Sequence, residues 1–300
     1  MSDDAFLLPG VMTDVGPLAD RVAAIPDDLP SIVAAVQGLL IHEFLGPLYD
    51  IEIDQGSDAV NLHRAADILA LAGDAPLTEP RDPSDRVPSN CRQFSVVTTA
   101  ILRAHGIAAR ARCGFGAYFN PGYLEDHWVA EVRSPTTGRW HLVDAQIDDV
   151  QRRAMGIDLD TMDVPRDRFV VAGDAWLGFR AGTVDPDRCG LSVIDEHGDW
   201  WIAQNLLRDV ASLLGVETRP WDVWGAMREP GDPIPPTDVD LFDHLAALTV
   251  GGAIGGHPSD EDLAALAASA TTDPRVRVPA EVFNASRHRM EHLPEGAAQG

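Results

Sequence analysis

Lysine is absent from this 300-residue chain, and all 23 of its basic residues are arginine. Acidic residues number 47, so the formal net charge is -24. Contact with nucleic-acid phosphates relies on clustered Lys and Arg, and this charge balance therefore argues against nucleic acid as a partner. If the protein joins amines to acyl groups, a chain without lysine offers only its own terminal amine as an acceptor for crosslinking to itself. A high content of Arg, Ala and Asp is, however, also typical of a GC-rich coding background.

Cysteine and long apolar runs are scarce as well. The three cysteines, Cys91, Cys113 and Cys189, are an odd number, which argues against a disulfide framework and fits a reducing compartment. No stretch approaches the roughly 20 apolar residues of a membrane helix. The first ten residues lack the basic start and apolar run of a signal peptide. We therefore expect a cytoplasmic protein with no membrane partner.

Several catalytic signatures are also missing. The ten histidines are scattered without ligand spacing, and there is no CxxC pair and no HExxH. GxSxG is absent too, which argues against a serine hydrolase. The run Gly251–Gly256 lacks the spacing of a dinucleotide-binding fingerprint. The sequence thus predicts no metal site and no cofactor.

A cysteine at the start of a helix is the first positive signal. The segment from Cys91 to His105 follows a polar cap residue and precedes Gly106, which predicts one helix. Phe94, Val97, Ile101 and Leu102 recur at the spacing of one apolar stripe. In the first turn, the helix dipole and the amide groups favour the thiolate and could hold an oxyanion. A lone Cys in a helix is more often a small buried residue.

A histidine and an aspartate lie on a predicted β-hairpin. The alternating runs His127–Val132 and Trp140–Asp144 flank the turn-forming loop Ser134–Gly138. The midpoint between His127 and Asp144 falls inside this loop, so we expect the two residues to lie nearly opposite one another. The carboxylate could then accept an imidazole N–H and fix the tautomer.

Taken together, these residues resemble the core of the transglutaminase-like superfamily. The matching pieces occur in order as Cys91, Gly106-Ile107-Ala108-Ala109-Arg110, His127-Trp128-Val129, and Trp140 with Asp144. A looser likeness to an uncharacterised bacterial branch of the superfamily is carried by Arg110–Gly116, Asp126–Trp128, Val143–Gln146, Asn205–Asp209 and Pro220–Asp222. The combination of spacing and flanking residues is specific, unlike a lone Cys or His.

The resemblance implies an α+β fold with a papain-like core, in which the nucleophile helix packs on an antiparallel sheet with flanking helices. It implies catalytic Cys91, His127 and Asp144, forming a thioester from a peptide, protein or small amide and passing it to water or an amine. The alternative is a non-catalytic module that retains the fold and binds a peptide or protein.

Other residues near these motifs are candidates for substrate binding. Arg110 and Arg112 share one face of a predicted strand, where each could either clamp a substrate carboxylate or pair with a structural one. Tyr118, Trp128 and Gln146 are candidates for the pocket wall, although aromatic residues near strands more often belong to a core. Cys113 shares the other face of that strand, which favours core packing.

The flanking sequence predicts a catalytic domain over residues 1–230, with its core at 81–150, and a linker with a short helical extension over 231–300. The linker prediction rests on the Pro- and Gly-rich segment Glu229–Pro236. Further helices are predicted at Pro30–Phe44, Ser57–Leu71, Trp200–Leu214, Asp238–Leu248 and Asp260–Ala270, and a short strand-like segment within Arg180–Asp195.

Overall fold

The computed structural model describes residues 3–54 and 56–297 and mixes helices with strands throughout, which confirms the predicted α+β class. Its α-helices are α1 (Ala19–Ala23), α2 (Leu29–Leu39), α3 (Ala65–Ala70), α4 (Cys91–Ala104), α5 (Asp149–Met155), α6 (Ala172–Arg180), α7 (Asp199–Leu213), α8 (Pro236–Thr249) and α9 (Asp260–Thr272). Its strands are β1 (Leu40–His42), β2 (Val87–Ser89), β3 (Ala109–Gly116), β4 (Leu124–Arg133), β5 (Trp140–Val143), β6 (Phe169–Val171), β7 (Cys189–Leu191), β8 (Glu196–His197), β9 (Asp222–Val223), β10 (Glu281–Asn284) and β11 (Arg289–His292).

The chain divides into two compact units. Of the described residues, the N-terminal unit contains 3–54, 56–111 and 128–164, and the C-terminal unit contains 112–127 and 165–297. The division falls within β3 and β4, so a part of each strand belongs to each unit. The predicted boundary near residue 230 does not coincide with this division, since α8 and α9 belong to the same unit as α6 and α7.

Helix α4 is the centre of the N-terminal unit. Helices α1, α2 and α3 all contact it. Its residues are buried continuously from Cys91 to Arg103. The sequence predicts one buried apolar face, whereas the helix is buried on all of its faces. Two of its buried hydroxyl groups form hydrogen bonds: that of Ser95 donates to the carbonyl of Val129 on β4 at 2.7 Å, and that of Thr98 donates to the carbonyl of Phe94. Buried hydroxyl groups are tolerated when they are paired in this way.

Two strand pairs complete the N-terminal unit. Strands β1 and β2 pair in parallel, and β4 and β5 form the predicted antiparallel hairpin. The prediction of a helix over Pro30–Phe44 was too long at its end, because α2 stops at Leu39 and the chain continues as β1. Ser57 caps a short 3-10 helix, Asp58–Asn61, and α3 begins only at Ala65.

The C-terminal unit contains β6, β7, β8 and the parts of β3 and β4 at residues 112–116 and 124–127, in the strand order β6-β3-β4-β7-β8. The pairing of β4 with β7 is parallel, whereas β3 with β6 and β7 with β8 are antiparallel. At Gly114 the strands approach so closely that an added Cβ would lie 2.3 Å from the carbonyl oxygen of Val170, so only glycine fits there. The sheet is therefore mostly antiparallel, with one parallel pair.

Helices and a second sheet form the rest of the C-terminal unit. Helices α6, α7 and α8 pack against each other, and α9 packs on α8. A three-stranded sheet has the order β11-β10-β9. The segment after residue 230 thus contains strands as well as the predicted helices. No helix in the described part of the chain is long and apolar enough to cross a membrane.

Candidate active site

Cys91 is the first residue of α4, as the sequence predicts, and the start of this helix is held by its cap. The Asn90 side chain accepts the Gln93 N–H at 3.2 Å, and the Gln93 side chain accepts the Asn90 N–H at 3.1 Å. The Asn90 amide also donates to the carbonyl of Val60, and the Gln93 amide donates to that of Ala59. These reciprocal bonds fix where the helix begins and therefore where the Cys91 side chain leaves it.

The position of Cys91 favours an ionised thiol. The amide dipoles of α4 add up to a partial positive charge at its N-terminus, and this charge stabilises a thiolate more than a thiol. The side chain of Cys91 is 7% exposed, whereas Cys113 and Cys189 are each 0% exposed. Among the three cysteines, Cys91 therefore combines a position at a helix N-terminus with some access to solvent.

The environment of Cys189 is the opposite of that of Cys91. Burial, together with the negative charge of Asp185, raises the pKa of the Cys189 thiol to about 12. Its Sγ–H donates to the Asp185 carbonyl at 3.4 Å. Such a thiol is neutral at physiological pH and a poor nucleophile.

Selective alkylation tests this difference among the cysteines. We expect iodoacetamide at neutral pH to modify Cys91 in the folded protein and to leave Cys113 and Cys189 unmodified, because a thiolate with solvent access is the reactive form. Peptide mapping by mass spectrometry after a short exposure measures the three sites separately. Unfolding in urea should make all three reactive, and faster labelling of Cys113 or Cys189 than of Cys91 in the folded protein would contradict the expectation.

Asp144 directly follows β5 in the N-terminal unit and is buried. Its backbone N–H donates to the carbonyl of Thr161 at 2.8 Å, and its side chain accepts the backbone N–H of Gln146 at 3.0 Å. The carbonyl of Gln146 accepts in turn from the side chain of Gln151. The carboxylate is thus held in an Asx-type turn, and because a carboxylate has about four acceptor positions, it can also accept from an imidazole.

The register of the hairpin differs from the predicted one. The ladder joins Ala130 to Val143 and Arg133 to Trp140. It does not include positions 127 or 144, and in this register position 127 would align with 146 instead of 144. The hairpin is confirmed, and its turn is centred one residue later in the chain than the predicted midpoint between His127 and Asp144.

His127 lies in the C-terminal unit, as the fourth residue of β4 and not at its start. Its ring is surrounded by three aromatic rings, with centroid distances of 6.1 Å to Tyr118, 4.9 Å to Phe119 and 6.2 Å to Phe169. All three contacts are edge-to-face, an arrangement that restricts rotation of the imidazole. The structure therefore brings Tyr118, a predicted wall residue, to the predicted base.

Arg110 and Arg112 each face a buried carboxylate within their own unit. Arg110 donates to Glu131 at 2.5 Å, and Arg112 forms two hydrogen bonds of 2.9 Å with Asp209. All four side chains are 0% exposed. The Arg110 guanidinium also stacks 4.3 Å from the ring centroid of Trp140. These pairs favour the structural alternative for both arginines over substrate binding.

A buried polar network beside His127 was missed by the sequence reasoning as a functional element. Asp126 accepts from the Asn205 side chain on α7, and Arg208 donates to the Asn205 carbonyl oxygen at 3.1 Å. Burial raises the pKa of Asp126, while the Asn205 hydrogen bond and Arg208 act against that rise. Asp209 on the same helix accepts the Cys113 N–H. The signal was present in the sequence, because Asn205–Asp209 belongs to the looser family likeness.

The other predicted wall residues, Trp128 and Gln146, lie in the N-terminal unit, and both are buried. Trp128 follows His127 directly in β4, and Gln146 belongs to the turn of Asp144. Among residues 3–54 and 56–297, no group of three or more His, Cys, Asp or Glu is arranged to hold a metal ion.

Comparison with known proteins connects this arrangement with one family. Residues 78–145 match the model of the Transglutaminase-like superfamily, and this segment includes Cys91, His127 and Asp144. The match supports a cysteine enzyme in general terms. A comparison with curated proteins gave no match.

A solved structure of a candidate cysteine protease from Cytophaga hutchinsonii is similar at 20% identity, over 56% of this chain and 44% of that chain. The TM-score is 0.31, too low to indicate a shared overall fold. The chain therefore spans less than half the length of that protein. The segment that matches the family model, residues 78–145, contains α4 and the β4–β5 hairpin, and it is the segment in which the order of motifs carries the resemblance.

Proposed function

We propose that this protein is a cysteine-nucleophile acyl-transfer enzyme that acts on an amide or peptide carbonyl. The observation that carries the proposal is the position of Cys91, at the first turn of a capped helix within the segment matched by the family model. A thiol at such a position is activated by the fold itself.

In the first step, the Cys91 sulfur attacks the carbonyl carbon and a carbon–sulfur bond forms. His127 holds the proton that the Cys91 thiol gave up, and it delivers this proton to the departing amine when the carbon–nitrogen bond of the substrate breaks. The product of this step is an acyl-thioester on Cys91. The amides in the first turn of α4 stabilise the negative charge that develops on the carbonyl oxygen.

In the second step, water or an amine attacks the thioester and His127 takes up its proton. The carbon–sulfur bond breaks and the thiolate is restored. Hydrolysis and transfer differ only in this second nucleophile, so the same residues serve an amidase, a peptidase or an acyltransferase. Asp144 orients the imidazole and stabilises its charged form.

The proposal is tested by trapping the thioester. The protein is incubated with a library of peptides and amines and analysed by intact mass under acidic quench, which preserves thioesters. An adduct that maps to Cys91 and is released by an added amine supports acyl transfer. If Cys91 alkylates only above the ordinary thiol pKa and no acyl donor forms an adduct, the protein is instead the non-catalytic binding module.

Substitution of the other two residues should lower turnover to different extents. We expect His127→Ala to reduce kcat/KM about as strongly as loss of the nucleophile, and Asp144→Asn to reduce it less, because groups that act as a unit are non-additive. Steady-state kinetics on the trapped substrate measure both. The double variant should be no slower than His127→Ala alone, and additive losses would contradict joint action.

A control variant for these substitutions is provided by His141. It lies on β5 and pairs with Val132, at a position of opposite parity to Asp144. Consecutive side chains in a strand alternate between faces, so His141→Ala should leave kcat/KM within about twofold.

A further inference from the structure

The orientation of the Asp144 carboxylate depends on the short segment that follows it. The carboxylate accepts the backbone N–H of Gln146 at 3.0 Å, and the backbone N–H of Asp144 donates to the carbonyl of Thr161 at 2.8 Å. The second bond holds the main chain of Asp144, and the first holds its side chain. The direction of the carboxylate is therefore only as fixed as the backbone at Gln146.

Gln151 holds that backbone from its other side. It lies in the first turn of α5, and its side chain is buried. Its Nε2 donates to the Gln146 carbonyl at 3.0 Å and to the Tyr49 hydroxyl at 3.0 Å, so both amide hydrogens are used. A carbonyl oxygen can only accept, so the nitrogen of the Gln151 amide must be the atom that faces Gln146. Gln146 is thus bonded at its N–H by Asp144 and at its carbonyl by Gln151.

Tyr49 and Asp148 fix the side chain of Gln151 in turn. Tyr49 ends the 3-10 helix Gly46–Tyr49, and its hydroxyl donates to Asp148 at 2.8 Å. Burial raises the pKa of Tyr49 well above its ordinary range, so the hydroxyl keeps its proton and accepts from Gln151 while it donates to Asp148. The other carboxylate oxygen of Asp148 accepts the N–H groups of Val150 and Gln151 and so caps α5. The position from which Gln151 reaches Gln146 is therefore fixed.

Other elements of the same unit hold the segment as well. Gln37 on α2 donates to the carbonyl of Ile147 at 3.0 Å, and the Arg86 guanidinium lies 3.6 Å from the Asp148 carboxylate. A turn of a few residues does not keep one conformation by itself, because each ordered residue loses conformational entropy. The bonds from α2, α5 and the 3-10 helix supply the constraint, and all of these residues belong to the N-terminal unit.

We propose that Gln151 is a positioning residue of the acyl-transfer site, which acts through Gln146 to hold the Asp144 carboxylate in the orientation that accepts an imidazole N–H. This inference rests on the proposed acyl-transfer function. Gln151 touches no reacting atom, and no bond of its side chain is made or broken. A side chain that only stabilised α5 would leave the chemistry unchanged in the molecules that stay folded.

The two phases of one reaction separate these roles. p-Nitrophenyl acetate acylates Cys91 and releases p-nitrophenolate, which leaves without taking up a proton. Water then attacks the acetyl thioester, and this second step needs His127 as a base oriented by Asp144. A positioning role of Gln151 therefore appears in the slow steady phase. A purely structural role instead reduces the initial burst, whose size reports the fraction of folded, competent protein.

The test uses Gln151→Met, which keeps the length of the side chain and removes both donors. We expect a burst of wild-type size and a steady rate about tenfold lower, since a 1 Å misplacement of a catalytic group can cost on the order of 100-fold. In an Asp144→Asn background the same substitution should change the steady rate by less than about twofold, because residues that act through one group are non-additive. Thr98→Val, which removes another buried hydrogen bond of the same unit, is the control and should change neither phase.

Hydrogen exchange of the Gln146 amide tests the turn without any substrate. Gln151→Met should accelerate this exchange by about tenfold or more and leave the amides of α4 unchanged. Exchange at the wild-type rate, a wild-type steady phase, or an equal fall of the steady phase with and without Asp144→Asn would each overturn the inference.

A variant that keeps more of the packing covers the case in which Gln151→Met does not fold. Tyr49→Phe removes the hydroxyl that orients the Gln151 amide, so it should slow the steady phase by about threefold or more with the burst unchanged. An unchanged steady phase in a folded Tyr49→Phe variant would contradict the inference. A wild-type protein that shows no burst would instead remove the proposed function, so the two failures are distinguishable.

Discussion

Replacing Cys91 with alanine is expected to abolish thioester formation and turnover while the chain stays folded. The substitution removes one sulfur atom from a side chain at the edge of the buried region of α4. Its cost in stability is on the order of 1 kcal/mol, comparable to deletion of a methylene group. The loss of activity should be complete, because no other group in the proposed mechanism can form the acyl intermediate.

The measurement combines activity with folding. Intact mass after incubation with an acyl donor reports the adduct, and circular dichroism with a thermal melt reports the fold. Cys113→Ala and Cys189→Ala are the matched controls, since both remove a fully buried thiol that has no part in the mechanism. Turnover retained by Cys91→Ala, or lost equally in a folded Cys113→Ala variant, would remove Cys91 as the nucleophile.

Replacing Arg112 with methionine should cause the largest loss of stability. The guanidinium forms two hydrogen bonds to Asp209 and donates a third to the carbonyl of Thr249, and both charged side chains are fully buried. Removing Arg112 leaves the Asp209 carboxylate buried without its counter-charge, with the Cys113 N–H still donating to it, and breaking a buried pair in this way costs about 3–5 kcal/mol. This is a large part of the total stability of about 5–15 kcal/mol of a typical protein.

Urea denaturation followed by tryptophan fluorescence measures the change in the free energy of unfolding. The matched control is Arg139→Met, because Arg139 pairs with Asp163 at 2.6 Å in a largely exposed ion pair. Exposed pairs contribute at most about 1 kcal/mol. Equal decreases in the free energy of unfolding for the two variants would show that the buried ion pair stabilises the protein no more than the exposed one.

The elements with strong local signals could be predicted from the sequence. Helix α4 begins at Cys91 as expected and ends one residue before the predicted end, because its cap and Gly106 are local features. The hairpin of β4 and β5 and the capped start of α9 at Asp260 are likewise encoded by nearby residues. The three proposed catalytic residues also follow from short motifs in order.

Features that depend on distant partners could not be predicted. Strand β1 was read as part of a helix because its pairing with β2 joins segments far apart in the sequence. Asp126 is hydrogen-bonded by Asn205 and Arg112 is paired with Asp209, and both of these partners come from α7. The hairpin register was misjudged because loop length alone does not determine the turn.

The buried positive charges of this chain are all guanidinium groups, since the sequence contains no lysine. The Arg110 guanidinium lies over the Trp140 ring and Arg112 forms two hydrogen bonds with Asp209, contacts that suit a planar, delocalised cation. Interior lysines can shed their proton in alkaline solution and thereby uncouple a salt bridge. The guanidinium groups of Arg110 and Arg112 keep their charge in alkaline solution, so these two interior ion pairs keep their positive partner where a lysine would lose it.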